Sequence, residues 1–439
     1  MKLTSKSNKV IIIGAGLAGL SAAYHLKLDY KLIECDGRAG GLCKSDVVNG
    51  FTFDYSGHLL HIKNEYTESL VKKLLGSNIS SIKRSSWIYS SGVYTRYPFQ
   101  SNLFGLPPDV IKECLMGFIK SAYERQNMRV ESFEDWILKY LGEGIADRFM
   151  IPYNKKLWTV PPREMTTEWL GKYVPKPNID EILDGALRSN KQDWGYNSYF
   201  YYPKRGGIES LINGFLSHIE PDSIHLKKKV VRISLEKKTI FYDDGDCEQY
   251  EKLISTMPLN ELVSIILEIP SDLRNVAGKL RYNSVLNINL GIGRGDISDK
   301  HWIYFPEDDY VFNRVGFASN FSNSMAPAGC SSIYTEICFS DWAPLQFGSI
   351  EEAKKRVCKD LMKCSIIDPR DKIVCSHSFS IKPAYVIYDK EWNRARSMIL
   401  DYLKERGIFS IGRYGAWEYS AMEDAILEGK AASEEINRM

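Results

Sequence analysis

Near its N-terminus the chain reads Val10-Ile11-Ile12-Ile13-Gly14-Ala15-Gly16-Leu17-Ala18-Gly19. A short apolar run that ends in Gly-x-Gly-x-x-Gly predicts a strand that turns sharply into a helix. The glycines allow the tight turn and a close approach of the backbone to a pyrophosphate. The start of the helix, at Leu17, favours the negative charge of that group. The stretch therefore predicts the dinucleotide site of an α/β domain.

The next apolar segment, Tyr30-Lys31-Leu32-Ile33, is predicted to be the second strand, and it ends at the acidic Glu34. A carboxylate at this place can accept both hydroxyl groups of an adenosine ribose. Lysines before an apolar stretch also occur in secretory signals, but a signal needs neither spaced glycines nor the acid. We therefore predict a dinucleotide bound by Gly14, Gly16, Leu17, Ala18, Gly19, Glu34 and Cys35.

The segment Gly37-Arg38-Ala39-Gly40-Gly41 favours FAD over NAD, because a nicotinamide site does not need a second glycine pair. In enzymes that keep FAD bound, such a segment runs beneath the pyrophosphate, with an arginine against the ribose or adenine; an ordinary turn is the alternative. A C-terminal strand, glycine and helix would return to the flavin ring. The predicted FAD set is completed by Arg38, Gly40, Gly41, Leu42, Gly57, His58, Val230, Gly412, Arg413, Tyr419 and Met422.

Length and composition limit the class of protein. A chain of 439 residues exceeds what one core usually holds, and its net charge of +2 gives no sign of nucleic-acid or membrane-surface binding. No apolar run approaches the roughly 20 residues of a membrane helix. The nine cysteines contain no CxxC pair, so we expect reduced thiols in a cytoplasmic protein, with no disulfide frame and no metal site.

The fold class predicted from these patterns is α/β. A Rossmann-like FAD-binding domain, discontinuous in sequence, is interrupted by a helical domain and by a mainly antiparallel β-sheet domain that would bind substrate. The predicted ranges are 1–84, 204–260 and 405–439 for the FAD-binding domain, 101–192 for the helical domain, and 85–100, 193–203 and 261–404 for the sheet domain.

Two features go beyond the flavin. His58 follows a short strand at a place suited to an acid/base or flavin-contacting side chain, although a purely structural histidine is equally compatible. Arginine or amide groups are interleaved with aromatic residues in the segments 96–102, 302–314 and 413–419. A guanidinium binds a diphosphate in a bidentate way, and tyrosine hydroxyls can take the remaining oxygens. These segments predict a second, anionic ligand near the flavin.

The motifs, in this order, resemble the UDP-galactopyranose mutases. The resemblance is closest to their eukaryotic-type branch within the FAD amine oxidase/protoporphyrinogen oxidase superfamily. The segments that carry it include Gly57-His58, Tyr97-Pro98-Phe99-Gln100-x-Asn102, Pro152-Tyr153-Asn154-x-x-x-Trp158, Trp169-Leu170-Gly171, Gly195-Tyr196-Asn197 and Gly412-Arg413-Tyr414-Gly415.

This resemblance implies an isomerase that interconverts the pyranose and furanose forms of UDP-galactose or a related nucleotide sugar, for polysaccharide biosynthesis. N5 of the reduced flavin would form a covalent adduct with the sugar while the nucleotide leaves and returns, and NADPH or NADH would be the reductant. The implied catalytic residues are His58, Arg314 and Arg413. The implied substrate-binding residues are Phe99, Gln100, Asn102, Tyr153, Trp158, Trp169, Tyr173, Asn197, Tyr304, Arg314, Tyr385, Arg413 and Tyr419.

One departure leaves the sugar nucleotide open. Lys172-Tyr173 stands where eukaryotic-type mutases have a diphosphate-binding arginine, and lysine supplies a charge but no bidentate fork. Two other functions remain open at this point. The first is an FAD oxidase or desaturase of the amine oxidase or protoporphyrinogen oxidase type, with a mainly apolar substrate channel. The second is a non-catalytic flavin-binding protein. The sequence does not indicate an oligomeric state.

Overall fold

The computed structural model describes residues 10–171, 173–188 and 198–439. The strands are, in chain order, β1 Val10–Ile13, β2 Tyr30–Ile33, β3 Ser45–Val48, β4 Phe51–Asp54, β5 Ser80–Lys83, β6 Ser86–Ser90, β7 Val93–Arg96, β8 Tyr199–Tyr202, β9 Ile224–His225, β10 Val230–Ser234, β11 Thr239–Tyr242, β12 Cys247–Gln249, β13 Lys252–Ser255, β14 Tyr282–Ile292, β15 Trp302–Tyr304, β16 Arg314–Phe317, β17 Ser331–Phe339, β18 Ile373–Val386 and β19 Ile408–Ser410.

The α-helices are, in the same order, α1 Leu17–His25, α2 Glu65–Leu75, α3 Pro108–Glu124, α4 Phe133–Tyr140, α5 Gly142–Ile145, α6 Ile151–Trp158, α7 Ile179–Leu187, α8 Glu209–Leu216, α9 Leu259–Ile265, α10 Ser271–Ala277, α11 Ile350–Lys363, α12 Trp392–Glu405 and α13 Met422–Arg438. None of the helices in the described ranges combines the length and the apolar character that a membrane span requires.

A five-stranded parallel sheet has the strand before the glycine motif at its centre. Its order is β19-β13-β1-β2-β9, and every residue of β1 is at most 6% exposed. Both faces of β1 are covered, which explains why its sequence is continuously apolar rather than alternating. The predicted strand–helix–strand start, the returning strand near residue 253 and the C-terminal strand are confirmed.

Helices α1 and α13 cover one face of this sheet in close contact. A Cβ added at Gly429, in the middle of α13, would lie 2.4 Å from the carbonyl oxygen of Ala18 and 2.8 Å from the backbone nitrogen of Ala22, both in α1. Glycine therefore lets the two backbones approach, which offsets the roughly 1 kcal/mol that an interior glycine costs a helix. The predicted C-terminal helix is confirmed and extends to Arg438.

A seven-stranded sheet has the order β18-β14-β17-β16-β15-β6-β7 and is antiparallel except between β15 and β6. Side chains alternate between its faces. Ile303 and Val315 pack with α11 into an apolar core, whereas Tyr304 and Arg314, each one residue away, face a cavity. The alternation thus separates the core of this layer from its functional face.

Helices α3 to α7 form the third part of the molecule. Two of them begin with capping boxes, at Ser132 for α4 and at Asn178 for α7, so their first backbone N–H groups are satisfied. Phe118, Phe133 and Ile137 lie in a core that these helices share. The mixed α/β fold class is therefore confirmed, and the division into domains at the boundaries given above stays a prediction.

Candidate active site

A cavity of about 760 Å³ is lined by residues of all three parts of the molecule. At one end lies the glycine motif of β1 and α1, and at the other lie side chains of the helical layer and of the seven-stranded sheet. The cavity therefore connects the glycine motif with side chains of the helical layer and of the seven-stranded sheet.

The glycine motif forms an open cradle at the first end. Gly14 has a φ of +97°, and a Cβ there would lie 2.1 Å from Oγ1 of Thr256. Gly16 precedes α1 and provides no side-chain cap, so the N–H groups that begin this helix are available to a phosphate. The second glycine segment is held against the first, since Gly40 donates its N–H to the carbonyl of Ala15 at 2.8 Å.

Glu34 lies next to this cradle and is 7% exposed. Its Oε2 accepts the N–H of Ala15 and its Oε1 accepts the N–H of Asp36, both at 2.8 Å. Oε1 also accepts the thiol of Cys35 at 3.4 Å, a weak bond that a hydroxyl donor can replace, and Oε2 keeps acceptor capacity for one more donor. The carboxylate is thus fixed in place and still able to accept two ribose hydroxyls. Cradle and carboxylate together fit the adenosine diphosphate part of FAD.

His58 lines the middle of the cavity, and its Nδ1 is buried without a hydrogen-bond partner among the described residues. Burial, assisted by the positive charge of Arg413, lowers the pKa of His58 to about 4. The ring is therefore neutral at pH 7. A neutral imidazole suits a hydrogen bond to a flavin ring better than it suits proton donation as a general acid.

We expect the free energy of unfolding to depend on pH because the pKa of His58 is lowered in the folded protein. Between about pH 6.5 and pH 4 the unfolded chain binds a proton at His58 that the folded protein does not, so stability falls as the pH falls and levels off below pH 4. Relative to His58→Asn, the wild type should lose about 3 kcal/mol of unfolding free energy over this range. Urea unfolding at pH 7 and pH 4 measures the difference. The exposed His218, changed to Asn, is the control; an equal pH slope for wild type and His58→Asn would contradict the prediction.

Arg314 enters the cavity from β16 and is paired with Glu336 of β17. Its Nε donates to Oε2 of Glu336 at 2.9 Å, and its Nη2 donates to Oε1 of the same carboxylate. Glu336 is fully buried, so the pair is a bidentate one in a dry environment. Burial alone would lower the pKa of Arg314, but Glu336 holds it well above its usual value. Nη2 also lies 3.5 Å from the hydroxyl oxygen of Ser56, and the guanidinium lines the cavity.

Arg413 enters the same cavity from the segment after β19. Its Nη1 donates to the carbonyl of Ser420 at 2.6 Å and its Nη2 to that of Ala384 at 3.2 Å. The rings of Tyr385 and Tyr419 lie 5.3 and 4.9 Å from its guanidinium carbon. Within the described ranges no carboxylate forms an ion pair with it. A partly buried cation held only by carbonyls and rings favours the binding of an anion.

Aromatic side chains enclose the space between the two arginines. Trp158 and Trp169 meet edge to face at 4.9 Å, and Tyr419 lies 5.7 Å from Trp158 and 6.3 Å from Trp169. Nε1 of Trp169 is buried and has no acceptor among the described side chains and backbone. An indole N–H that lines a cavity beside two guanidinium groups is a further donor for an anion.

The far end of the cavity has the properties of a base-binding site. The side-chain nitrogen of Gln100 donates to the carbonyl of Pro175 at 2.9 Å, which orients the amide and leaves its oxygen as an acceptor. Phe149 and Tyr153 lie parallel at 5.2 Å, and both line the cavity. A planar base with an imide N–H can stack and hydrogen-bond there.

The cavity wall contains most of the residues predicted from sequence. These are Gly14, Gly16, Leu17, Ala18, Glu34, Gly40, Gly41, Leu42, Gly57, His58, Gln100, Tyr153, Trp158, Trp169, Tyr173, Tyr304, Arg314, Tyr385, Gly412, Arg413, Tyr419 and Met422. Their individual roles stay predictions. Asn197, which the resemblance implies to be a substrate-binding residue, and Lys172 lie outside the described residues.

Six predicted residues are absent from the wall of this cavity, namely Gly19, Cys35, Arg38, Phe99, Asn102 and Val230. The guanidinium of Arg38 is paired with Asp46 and Glu209 rather than directed to a ribose. The side-chain amide of Asn102 is used on the carbonyl of Pro98 at 2.9 Å. Phe99 is fully buried and stacks behind Phe149. The roles of these six residues also stay predictions.

Tyr173 lies in the position of the missing arginine. Its ring meets that of Tyr419 edge to face at 5.0 Å, and its hydroxyl donates to the carbonyl of Tyr419 at 3.4 Å. A phenol at the cavity wall can hydrogen-bond a phosphate oxygen but brings no charge.

Sequence reasoning missed Glu336. The signal was available, because a carboxylate between Thr335 and Ile337 in an apolar strand must be paired if it is buried. Its partner could not be named without the register that places Arg314 opposite Glu336 across β16 and β17.

Comparisons with known proteins agree with this geometry. A family profile described as "Flavin containing amine oxidoreductase" matches residues 17–437. The solved structure of a reduced UDP-galactopyranose mutase superimposes with a TM-score of 0.93 and 28% identity, over 98% of this chain and 95% of that one.

Two curated relatives are more distant. dTDP-fucopyranose mutase of Escherichia coli is 26% identical over 244 residues, which are 52% of this chain and 59% of the relative. Protoporphyrinogen oxidase 2 of Arabidopsis thaliana is 23% identical over 257 residues, 52% of this chain and 50% of the relative. The chain thus spans only half to three fifths of the length of these two relatives.

Proposed function

The chain belongs to the family of flavin containing amine oxidoreductases, and within it we propose that the protein is an FAD-dependent isomerase that interconverts the pyranose and furanose forms of a sugar nucleotide. The proposed substrate is a UDP- or dTDP-hexose, with UDP-galactose as the first candidate. The proposed reductant of the flavin is NADPH or NADH. A furanose product would serve polysaccharide biosynthesis.

The observation that carries the proposal is that Arg413 has no carboxylate partner within the described part of the chain. This cation shares a cavity with the dinucleotide cradle and has no ion-pair partner among residues 10–171, 173–188 and 198–439. A diphosphate between Arg413 and Arg314 would supply the missing negative charge. An amine substrate would instead bring a second positive charge to Arg413, and two like charges that are close together and shielded from water repel each other.

The residues have distinct tasks in this proposal. When bound and reduced, the flavin supplies a nucleophilic nitrogen, N5, to the anomeric carbon of the sugar. Arg314 and Arg413 stabilise the charge that develops on the diphosphate as the bond to the sugar breaks, and they hold that group for its return. Gln100 and the Phe149–Tyr153 pair orient the base, while the neutral His58 contributes a hydrogen bond and no charge.

A turnover assay tests the function. Dithionite-reduced, FAD-loaded protein is incubated with UDP-galactose, UDP-glucose or dTDP-fucose, and the nucleotide sugars are separated by chromatography. Under anaerobic conditions we expect a furanose isomer from at least one of them, no isomer with oxidised protein, and no net oxidation of the sugar. Reduced protein that binds UDP or dTDP but yields no ring isomer from any of the three would contradict the mutase proposal.

The alternative is an FAD oxidase or desaturase of the protoporphyrinogen oxidase type, which the similarity to the Arabidopsis protein favours. Formation of hydrogen peroxide with protoporphyrinogen or an amine, without any effect of UDP on the flavin spectrum, would support it. The charged and hydrogen-bonding character of the cavity wall favours the mutase.

A further inference from the structure

The C-terminal helix α13 carries two carboxylates that are used on backbone groups of other segments. Glu423 is 6% exposed, and its Oε1 accepts the N–H of Lys63 at 2.8 Å and that of Asn64 at 2.7 Å. Glu428, five residues further on, accepts the N–H of Gly412 with its Oε2 at 2.6 Å. Neither glutamate forms an ion pair with a described residue.

The two segments that these glutamates hold both line the cavity. The first, here called the His58 loop, is the segment 55–64 between β4 and α2. The second, here called the Arg413 loop, is the segment 411–421 between β19 and α13. Gly412 lies directly before Arg413, and both loops contribute to the cavity wall.

The helix that carries the glutamates also touches the cofactor end. Met422 and Ala425 of α13 line the cavity, one residue before and two residues after Glu423. A single rigid element therefore contacts the cofactor cavity and both loops. A buried carboxylate without a cation is costly, so its bonds to backbone N–H groups need a purpose beyond filling space.

We propose that Glu423 and Glu428 are positioning residues, which fix the His58 loop and the Arg413 loop on α13 so that both side chains meet the flavin ring in one geometry. The inference rests on the flavin site of the proposed function, but not on the identity of the substrate. At 2.6 to 2.8 Å, all three hydrogen bonds from backbone N–H groups to these glutamates are short.

The chain allows a selective test. Hydrogen–deuterium exchange is measured by mass spectrometry on FAD-loaded protein without any nucleotide sugar. Glu423→Ala should accelerate exchange by about tenfold or more in peptides that contain residues 58–64, and leave those of 410–414 unchanged. Glu428→Ala should do the reverse.

Glu423→Gln should behave as wild type, because both N–H groups bind one oxygen that an amide can replace. The control is Glu434→Ala, which removes exposed salt bridges of the same helix and should leave exchange in both sets of peptides unchanged.

A second readout separates positioning from a merely structural role. The absorbance spectrum and the midpoint potential of the bound flavin should shift in both alanine variants and return in Glu423→Gln. If Glu423→Ala does not retain FAD, Glu423→Asp withdraws the acceptor by one methylene and should give the same exchange pattern. Faster exchange with an unchanged flavin spectrum and potential would overturn the proposal, as would unchanged exchange. If the exchange and flavin measurements give the expected results but the turnover assay fails, only the proposed function is overturned.

Discussion

Arg413→Met is expected to weaken the binding of UDP or dTDP to the FAD-loaded protein by on the order of 100- to 1,000-fold, a loss of roughly 3–4 kcal/mol. The same change should leave the free energy of unfolding of the ligand-free protein nearly unchanged. Arg413 has no counter-charge among the described residues, so its removal relieves an unpaired cation while it leaves two carbonyls, of Ala384 and Ser420, with fewer donors. The affinity for the nucleotide should therefore fall, while the free energy of unfolding stays nearly unchanged.

Titration of the flavin absorbance with UDP and with dTDP measures the affinity, and urea unfolding measures the stability. Arg413→Lys keeps the positive charge but lacks the bidentate geometry of a guanidinium. It should therefore bind the nucleotide more tightly than Arg413→Met and less tightly than the wild type. Arg370→Met, which breaks an exposed ion pair with Asp368, is the control and should change neither property by much. Nucleotide binding that survives Arg413→Met, or a loss of stability as large as the loss of affinity, would mean that Arg413 is a structural residue.

The dinucleotide cradle could be predicted from sequence because its determinants are local. The motif from Val10 to Gly19, the strand that ends at Glu34 and the second glycine pair are each read from a few neighbouring residues. Their pairing in the structure follows from short connections between adjacent parallel strands. Local patterns also place His58 and Arg413 at the ends of strands, where loops of this fold meet.

The second ligand site could be predicted only in part, because it depends on pairings across long sequence distances. Arg314 could be predicted from sequence as a ligand-binding arginine, but its partner Glu336 follows from strand register alone. Arg38 has the expected position in the chain, yet two acidic residues that fold beside it, Asp46 and Glu209, take up its guanidinium. Phe99 lies in a recognisable motif, but the packing of the helical layer turns it behind Phe149. Sequence patterns name residue types; tertiary contacts decide which of them reach the ligand.

Gly14→Ala is expected to abolish the retention of FAD and to reduce the free energy of unfolding by about 3 kcal/mol or more. Two causes add. A side chain at a φ of +97° is strained by about 1–2 kcal/mol. The added Cβ would also lie 2.1 Å from Oγ1 of Thr256, which would have to move and lose its hydrogen bond to the carbonyl of Ile13. The turn that brings the backbone to the pyrophosphate cannot keep its shape under both effects.

A matched glycine separates the strain from the close approach. Gly92 has a φ of +79°, and a Cβ there would meet nothing within 4 Å, so Gly92→Ala should cost about 1–2 kcal/mol and leave FAD bound. Adding Thr256→Ala to Gly14→Ala removes Oγ1 and should restore part of the stability, because the remaining contact to the Thr256 Cβ, at 3.4 Å, is ordinary. The flavin-to-protein ratio after gel filtration and urea unfolding curves measure both properties. Equal effects of the two single substitutions would show that backbone strain alone requires glycine at position 14, and that contact with Thr256 contributes nothing to the cradle.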